Sequence, residues 1–585
     1  MSCDYHDSAA ALCVDGVLVA AIEEERLSRV KHDASLPERA IAACLAIGGL
    51  VPDDLDAVVF YEKPLNVFGR FMATRQRVGP RSWSSFVRDV PSLVGTNLMI
   101  GDRLDRALRT LGATRTIPVS YCEHHLSHAA AAFFPSPFET AATLTIDGVG
   151  EWATASIGRG SGRRVAISEE VRFPSSLGLL YSLMTEWCGF RANDGEYKLM
   201  GLAPFGEPRF EQVLGQVLQL HDGGGFSIDA AKVRRWAVRP ERMRWLCGAL
   251  DGPPLASGDA LTQREADIAA SIQVLTERAV VALAGRARDL TGERSLCLAG
   301  GVALNCVANG TLVDSGLFDD VWIQPAAGDA GSAIGAALWF DHRSVPRVVG
   351  PGDGMRGAAL GPSFSTDEIV PWLVADEVEH RVVDDEGELL DEVASRLADG
   401  QVVAWFQGAM EFGPRALGHR SILADPRSPT MQQRLNLQIK GRESFRPFAP
   451  AVLLGHVHEW FELDGPSPYM LRTAAVSAVR RQPVGAEPAA MVERVQVVRS
   501  DIPACTHIDG SARVQTVDPA IEPRFHALLE SFLRQTGCPV LLNTSFNVAD
   551  EPIVCTPEHA LDTARRAGVD LLVLEDVLID LTAAS

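Results

Sequence analysis

The 585-residue chain is too long for one compact core, and the usual size of domains predicts two to four of them. Its formal net charge of −21 excludes general attraction to nucleic acids, so any anion site must be local. The eleven cysteines form no CxxC pair, and the chain shows neither a leader-like N-terminus nor a run of about 18 apolar residues. We therefore expect a cytoplasmic protein with reduced thiols, no membrane span and no nucleic-acid partner.

A β-hairpin is the first predicted element. Two apolar runs within residues 9–23 flank Asp15-Gly16, a dipeptide that tolerates the positive φ angles of a tight turn. Residues 64–110 mix aromatic side chains with arginines and are predicted to be helical. They are interpreted as a solvated helical insertion or as a lid over an acceptor, and the first is the simpler interpretation. The arginines are Arg70, Arg75, Arg77, Arg81 and Arg88.

Three further strands are predicted to end in glycine turns. Residues 142–146 stop at Asp147-Gly148, and residues 296–298 stop at Gly300-Gly301. Residues 321–324 run through a short turn into a helix of small residues that begins near Asp329. Such strand-to-glycine junctions indicate loops that face phosphate groups.

A domain boundary is predicted where glycine and proline are dense. Residues 346–361 have this composition and lie between two well-patterned regions. We expect a first domain over residues 1–345, a linker over residues 346–357 and a second domain over residues 358–585.

His124 and His128 have the spacing of metal ligands. Residues four apart on a helix lie on one face, one turn from each other, although such a pair is often only packed or solvated. Asp147 follows a strand directly and is expected to point into a cleft, while Asp329 could simply cap a helix. Two imidazoles with two carboxylates would suit Fe(II), Mn(II) or Zn(II), and unlike cysteines they do not indicate a closed structural site.

A basic cluster occupies residues 415–446. It holds six arginines and one lysine against two acidic residues, a local charge of +5 within an acidic chain. Arginine forks match phosphate oxygens, and Lys440-Gly441-Arg442 can place two cations around one anion. Charge alone leaves open whether this cluster binds a small phosphate or pairs with an acidic helix near residues 384–392.

Eight motifs cover both halves of the chain. They are HDSAAAL (6–12), EEERLSRVKHD (23–33), HHLSHAAAAFFPSPF (124–138), KLMGLAPFG (198–206), LAGGVALNCVANG (298–310), GDAGSAIGAA (328–337), MEFGPRALGHRSIL (410–423) and LLNTSFN (541–547). In these motifs and in their order, nearly the whole chain resembles the O-carbamoyltransferases of nodulation-factor and antibiotic biosynthesis.

The resemblance implies an α/β fold. The N-terminal domain would belong to the actin, sugar-kinase and heat-shock ATPase superfamily, similar to the tRNA threonylcarbamoyl transferase subunit, and a smaller YrdC-like domain would follow. It implies carbamoyl transfer from carbamoyl phosphate, through an ATP-derived carbamoyl adenylate, to a hydroxyl of a small molecule. The implied metal is Fe(II), with Mn, Zn or Mg as alternatives, and ATP is the co-substrate.

The family motifs assign roles to individual residues. His124, His128, Asp147 and Asp329 fall on metal positions, and His6 and Lys31 on segments that face the carbamoyl group. The implied nucleotide contacts are Gly148, Lys198, Gly300, Gly301 and Asn305. The implied carbamoyl phosphate contacts are Arg415, Lys440, Arg442, Arg446, Arg513, Asn543, Ser545 and Asn547.

The chain departs from the family pattern at two places. Only residues 1–5 precede His6, so we expect a clipped first strand. Ala409 stands where the family pattern leads us to expect an arginine before the MEFGPRA motif. Neither departure removes an implied ligand.

Three rival functions come from related architectures. Transfer of threonylcarbamoyl to tRNA is disfavoured by the net acidity and the lack of a long basic stripe. An ATP-gated binding protein without transfer would not need His124 and His128. Metalloprotease action is disfavoured, because the chain contains no HExxH motif.

Overall fold

The chain forms two compact units in the computed structural model. Unit 1 comprises Met1–Ser28 and His32–Gly354, and unit 2 comprises Arg29–Lys31 and Met355–Ser585. The structure describes residues 1–78, 94–233, 243–350, 352–485, 488 and 490–582. Arg81 and Arg88 of the predicted helical region lie outside the described residues.

The segment expected to be a linker, residues 346–357, is held by the units themselves. The guanidinium of Arg347 donates hydrogen bonds to four backbone carbonyls of unit 1 within residues 133–138. The backbone N–H of Gly354 donates to the carbonyl of Pro135 at 2.7 Å. Met355 is fully buried where unit 2 begins. In this part of the chain, unit 1 extends to Gly354 and unit 2 resumes at Met355, and the expected linker bounds stay a prediction.

Unit 1 contains a five-stranded mixed sheet. Its strand order is β11-β10-β5-β6-β7, in which β11, β10 and β5 run parallel and β5, β6 and β7 alternate in direction. The strands of unit 1 are β1 (Ala9–Val14), β2 (Val17–Glu23), β3 (Val58–Phe60), β4 (Val119–Tyr121), β5 (Thr140–Gly150), β6 (Ala153–Ser161), β7 (Arg164–Arg172), β8 (Leu218–Leu220), β9 (Phe226–Ile228), β10 (Ser295–Ala299) and β11 (Asp320–Ile323).

The predicted hairpin is confirmed as β1 and β2. Asp15 and Gly16 take φ angles of 51° and 80°, as the central residues of a type I′ turn do. Before His6, Ser2 forms an isolated antiparallel bridge to Ala9. The β1–β2 pair packs in an apolar cluster with Phe60 and Tyr61.

The β5 strand differs from its prediction, because it does not stop at Asp147-Gly148. It continues to Gly150, and its pairing with β6 jumps from Ile146 opposite Ala155 to Gly150 opposite Ala153. The extra residues form an irregularity of the kind that re-aims side chains beside active sites. Asp147 lies in this irregular stretch.

Helices cover the sheet of unit 1. They are α1 (Glu24–Ser28), α2 (Glu38–Gly48), α3 (Pro64–Val78), α4 (Ile100–Thr110), α5 (His124–Phe133), α6 (Leu177–Trp187), α7 (Glu196–Leu202), α8 (Glu211–Leu214), α9 (Arg244–Ala249), α10 (Gln263–Thr291), α11 (Cys306–Asp314) and α12 (Asp329–Asp341), with a π-helical turn at Val94–Leu98. The prediction of helix over residues 64–110 is thus confirmed for much of its described part.

Helix α10 is the single described helix that is long and apolar enough to cross a membrane. It begins with a capping box formed by Thr262 and Glu265 and ends at Gly292, which has a φ of 69°. Of its most apolar 18-residue window, 67% is buried inside the protein, as expected for a core helix.

Two helices of small residues pack closely, and this packing positions the candidate site. In α12, a Cβ added at Gly335 would lie 1.8 Å from the carbonyl oxygen of Ser127 in α5. Only glycine permits this approach. The close contact brings the first residue of α12, Asp329, beside the histidines of α5.

Unit 2 is built on an eight-stranded mixed sheet of order β12-β21-β20-β13-β14-β19-β15-β18. Its core includes the fully buried side chains of Trp405, Phe406 and Phe532. The strands are β12 (Arg381–Val382), β13 (Val403–Phe406), β14 (Arg420–Ala424), β15 (Ala449–Leu453), β16 (Thr473–Ala475), β17 (Ser511–Arg513), β18 (Gln515–Val517), β19 (Val540–Ser545), β20 (Leu571–Leu574) and β21 (Val577–Asp580).

The helices of unit 2 are α13 (Thr366–Ala375), α14 (Glu386–Ala398), α15 (Met431–Gln433), α16 (Val457–Trp460), α17 (Met491–Arg494), α18 (Pro523–Thr536) and α19 (Pro557–Ala567), with a π-helical turn at Arg434–Ile439. Helices α14, α18 and α19 pack on strands of the sheet, and α14 and α18 also pack against each other. Helix α18 begins with a proline and ends at Gly537, which has a φ of 72°.

Candidate metal and transfer site

Four side chains converge in unit 1 with the geometry of a metal site. His124 and His128 lie one turn apart on α5, and their Nε2 atoms are 3.2 Å from each other. Asp147 approaches His124 at 3.1 Å between Oδ2 and Nε2, and Asp329 approaches His128 at 3.5 Å between Oδ1 and Nε2. One ligand atom from each residue lies within 4.8 Å of the other three. The structure therefore brings the four predicted metal ligands together.

A second layer of contacts fixes these ligands. The hydroxyl of Ser332 lies 3.2 Å from Nδ1 of His128, which leaves Nε2 of that ring directed at the cluster. Between the two ligands, Nδ1 of His125 lies 2.6 Å from the hydroxyl of Thr145 and ties α5 to β5. A Cβ at Gly150 would lie 1.9 Å from Cδ2 of His124, so a glycine is required there. None of these supporting residues was predicted, because each acts through a distant segment.

The electrostatics of the cluster favour a bound cation. In the described part of the chain, the ion-pair partners of Asp147 and Asp329 are His124 and His128 alone. Burial alone would lower the pKa of His128, but the hydrogen bonds and charges of the two carboxylates outweigh it and raise the pKa to about 9. The carboxylates of half-buried Asp147 and buried Asp329, with two imidazoles, form the mixed oxygen and nitrogen set that Fe(II), Mn(II) or Zn(II) accept. The residues present therefore fit a divalent metal.

The glycine loop after β10 lies against Asp147. Gly300 has a φ of 91°, and a Cβ there would lie 2.3 Å from the carbonyl oxygen of Ile146. The backbone N–H of Gly301 donates to Oδ1 of Asp147 at 3.1 Å. Gly148 is open, since a Cβ there would meet only Leu179, at 4.0 Å. Three of the predicted nucleotide contacts, Gly148, Gly300 and Gly301, thus lie beside the four candidate metal ligands.

The other two predicted nucleotide contacts have partners of their own. The side-chain oxygen of Asn305 accepts from the N–H of Ala308 at 3.0 Å and so caps α11. Its amide also exchanges two hydrogen bonds with the amide of Gln273, at 2.9 and 3.1 Å. Lys198 lies on α7 with its ammonium 5.9 Å from the ring centre of Phe190. Contact with a nucleotide stays a prediction for both residues.

His6 and Lys31, which the sequence pairs at the reacting group, fall in different units. His6 donates from Nδ1 to Oδ2 of Asp7 at 2.9 Å. The neighbour of Lys31, His32, lies in unit 1 and contacts the other oxygen of Asp7. Sequence reasoning missed His32 and Asp7, although both lie inside the HDSAAAL and EEERLSRVKHD motifs.

In unit 2, Lys440 is buried and holds a loop. Its ammonium donates to the backbone carbonyl of Ser545, and to the carbonyl and the side-chain oxygen of Asn547, both at 2.9 Å. Burial, followed by the charges of Arg442 and Arg446, lowers its pKa well below the ordinary value. The structure thus joins Lys440 to the predicted Ser545 and Asn547, but as a support of that loop, because the donors of its ammonium are used there.

The arginines predicted for carbamoyl phosphate are spread over several elements. Arg442 donates from Nε to the side chain of Asn436 at 2.7 Å and stacks 4.7 Å from the ring centre of Phe448. Arg446 lies 3.6 Å from Glu443, and Arg513 ends β17. Arg415 is half-buried in the MEFGPRALGHR loop.

The loop that carries Arg415 is closed by an unpredicted carboxylate. One oxygen of Glu411 accepts from the backbone N–H groups of Leu417, His419 and Arg420 at 2.7, 2.9 and 3.1 Å. From β19, the amide of Asn543 donates to the carbonyl of Ala416 at 3.2 Å, so this residue supports the same loop. The Glu411 contacts span the loop and fix its shape.

Family comparison then decides the identity of the chain. The model described as "Carbamoyltransferase N-terminus" matches residues 1–338, and that described as "Carbamoyltransferase C-terminus" matches residues 394–580. The chain belongs to the carbamoyltransferase family. The resemblance inferred from the motifs is thereby confirmed, and the metal cluster lies in the N-terminal family region while the basic cluster lies in the C-terminal one.

Named relatives of this carbamoyltransferase-family chain come from several organisms. "Nodulation protein NolNO" of Sinorhizobium fredii is 37% identical, covering 99% of this chain and 80% of the relative. "3'-hydroxymethylcephem-O-carbamoyltransferase" of Amycolatopsis lactamdurans is 34% identical, covering 53% of this chain and 54% of the relative. "Uncharacterized protein sll1178" of Synechocystis is 50% identical, covering 100% of this chain and 96% of the relative.

Proposed function

We propose that this protein is an ATP- and metal-dependent O-carbamoyltransferase. Carbamoyl phosphate loses its phosphate to give carbamate, and carbamate reacts with ATP to give carbamoyl adenylate and pyrophosphate. A hydroxyl of a small-molecule natural product then takes the carbamoyl group, and AMP leaves. The observation that carries this proposal is the convergence of His124, His128, Asp147 and Asp329 within a chain of the carbamoyltransferase family. The relative named for a hydroxymethylcephem acceptor supports a hydroxyl as the group modified.

The four converging residues would hold the metal. When bound, a divalent metal supplies Lewis acidity toward a phosphate oxygen. The backbone N–H of Gly301 orients the carboxylate of Asp147, and the hydroxyl of Ser332 orients the ring of His128. These contacts hold the ligands in place before substrate arrives, so little reorganisation is needed during reaction.

His6 is the proposed residue at the reacting group. Its Nδ1 is held by Asp7, and Nε2 has no hydrogen-bond partner among the described residues. An imidazole fixed at one nitrogen can present the other to substrate, either to donate to the carbamoyl oxygen or to take the proton of the hydroxyl. Lys31 lies in unit 2, and its role toward the carbamoyl group stays a prediction from the family motif.

Unit 2 is proposed to bind carbamoyl phosphate. Arg415, Arg442, Arg446 and Arg513 would contact the anion, since arginine forks fit phosphate oxygens. Lys440 would act indirectly, by holding the loop of Ser545 and Asn547. Activation in this unit and transfer in unit 1, whose four converging residues would hold the metal, are then separate steps.

Fold assignments follow from the same proposal. Unit 1 is proposed to have the actin-like ATPase fold, which its five-stranded mixed sheet with helices supports. Gly148, Gly300, Gly301, Asn305 and Lys198 would then face the nucleotide. Unit 2 is proposed to be YrdC-like. None of the eleven cysteines, all within the described residues, forms a disulfide, which supports the proposed cytoplasmic location.

Mass spectrometry tests the proposal. Purified protein loaded with Fe(II) is incubated with ATP, carbamoyl phosphate and a panel of hydroxyl compounds: an aminoglycoside, a macrolide, a β-lactam, a guanidinium alkaloid and a glycolipid. One compound should gain a carbamoyl group, and the gain should vanish when ATP or carbamoyl phosphate is omitted. A gain that persists without ATP would contradict the adenylate route.

A further inference from the structure

Four side chains form a continuous hydrogen-bonded series in unit 1. Asp194, in the loop before α7, accepts from Nε2 of His32 at 3.1 Å, and Nδ1 of His32 donates to Oδ1 of Asp7 at 2.7 Å. The other oxygen of Asp7, Oδ2, accepts from Nδ1 of His6 at 2.9 Å. The series therefore connects three separate segments of the chain and ends at His6.

His32 is the cation at the centre of the series. Both of its ring nitrogens donate to carboxylates, so the ring must carry both protons. The hydrogen bonds to Asp194 and then Asp7 raise the pKa of His32 to about 10, against the opposing effect of burial. The backbone N–H of His32 also donates to a carboxylate oxygen of Glu25 at 2.8 Å. His32 is thus held from several sides.

The backbone around the series is strained. Asp7, His32 and Asn193 take φ angles of 51°, 55° and 64°, in the left-handed region that residues other than glycine rarely adopt. Such conformations persist only where the surrounding structure imposes them, and they concentrate at functional sites. The chain accepts this strain at the segments that bring Asp7 and His32 together.

Oxygen and nitrogen atoms of Asp7, Glu25 and His32 are also close enough to hold a metal ion. However, both ring nitrogens of His32 already donate protons to Asp7 and Asp194, and a metal ligand must present a lone pair instead. The hydrogen-bonded series is therefore the better account of these residues.

We propose that His32 and Asp194 are positioning residues that hold Asp7 in the one orientation that fixes the ring of His6. Asp194 orients the imidazolium of His32, and His32 occupies Oδ1 of Asp7, which leaves Oδ2 for His6. The free Nε2 of His6 then points in a single direction. This inference rests on the proposed role of His6 in carbamoyl transfer, but its structural part does not.

Crystal structures of three variants test the structural part. In His32→Ala, the contact of 2.9 Å between Asp7 and His6 should be lost, because Oδ1 of Asp7 has no donor. In His32→Asn, a side-chain amide can still donate to Asp7, and the contact should be kept. Asp194→Ala should weaken the Asp7–His6 contact in part. It replaces His32→Ala as the test if that variant does not fold. An unchanged Asp7–His6 contact in both alanine variants would overturn the inference.

Kinetics test the functional part with the acceptor that the wild-type protein carbamoylates. His32→Ala should lower kcat by about 10- to 100-fold, as loss of an outer supporting residue does, with the KM for carbamoyl phosphate changed by about twofold or less. His32→Asn should recover much of kcat. His456→Ala is the matched control, since His456 makes a similar contact of 3.1 Å with Glu459. Equal kcat in wild type and His32→Ala would refute the inference, whereas absence of transfer by the wild type would refute only the proposed function.

Discussion

Replacing Gly335 by alanine should weaken metal binding at the proposed site without changing any of the four proposed ligands. The added Cβ would lie 1.8 Å from the carbonyl oxygen of Ser127, whereas ordinary contacts begin near 3.4 Å. Helices α5 and α12 must then separate by about 1.5 Å, at a cost of about 1 to 3 kcal/mol in the free energy of unfolding. Gly335 shares its helix with Asp329, so the separation reaches the cluster.

The effect on the cluster can be worked from its distances. Oδ1 of Asp329 and Nε2 of His128 are 3.5 Å apart, and the separation of the helices would increase this to about 5 Å. Two ligand atoms that each bind a metal at about 2.1 Å can be at most about 4.2 Å apart. Gly335→Ala should therefore lose Asp329 as a ligand and bind much less metal.

Metal content and unfolding measure this effect together. Wild type and Gly335→Ala are loaded with Fe(II), desalted and analysed by inductively coupled plasma mass spectrometry and by urea unfolding. Gly285→Ala is the control, since a Cβ at Gly285 on α10 meets nothing within 4 Å and should stabilise the helix by about 0.5 to 1 kcal/mol. Wild-type metal content and stability in Gly335→Ala would refute the packing argument.

Three further predictions concern residues that support the two units. Arg347→Ala should lower the free energy of unfolding of unit 1 by about 2 to 4 kcal/mol, because hydrogen bonds from a charged donor to four backbone carbonyls are lost. In the same urea titration Arg343→Ala, which removes only stacking on two aromatic rings, should cost less than about 1 kcal/mol. Glu411→Ala should weaken carbamoyl phosphate binding in calorimetry by about tenfold, since three backbone N–H groups lose their acceptor, and Glu411→Gln, which keeps an acceptor, should bind nearly as wild type. The pKa of His32 is raised from 6.5 to about 10, so its contribution to stability is complete below pH 6.5 and is lost as the pH rises toward 10. Thermal unfolding at a series of pH values measures this loss, which should be smaller in His32→Asn.

Local patterns in the sequence predicted the elements that local chemistry determines. Asp15-Gly16 predicted the hairpin because the turn depends on those two residues alone. The spacing of His124 and His128 predicted a shared helical face for the same reason. Both features can be predicted without information about the rest of the chain.

Long-range contacts could not be predicted in this way. Arg347 seemed to belong to a linker, because its partners lie more than 200 residues earlier. Lys440 was predicted to contact phosphate, and its burial against Asn547 depends on how β19 continues into the following loop. Sequence reasoning assigned a role to Lys31 and none to His32, because only the fold brings Asp7 and Asp194 to the ring of His32.

The central claim is that activation in unit 2 and transfer in unit 1 are separate, and supplying the intermediate tests it directly. Arg442→Ala loses an anion contact of about 1.5 to 3 kcal/mol, which should weaken carbamoyl phosphate binding by about ten- to a hundredfold. Given synthetic carbamoyl adenylate, that variant should carbamoylate the acceptor at nearly the wild-type rate, while Asp147→Ala should fail with either donor. An Arg442→Ala variant that stays inactive with preformed adenylate, or an Asp147→Ala variant that stays active, would contradict the account.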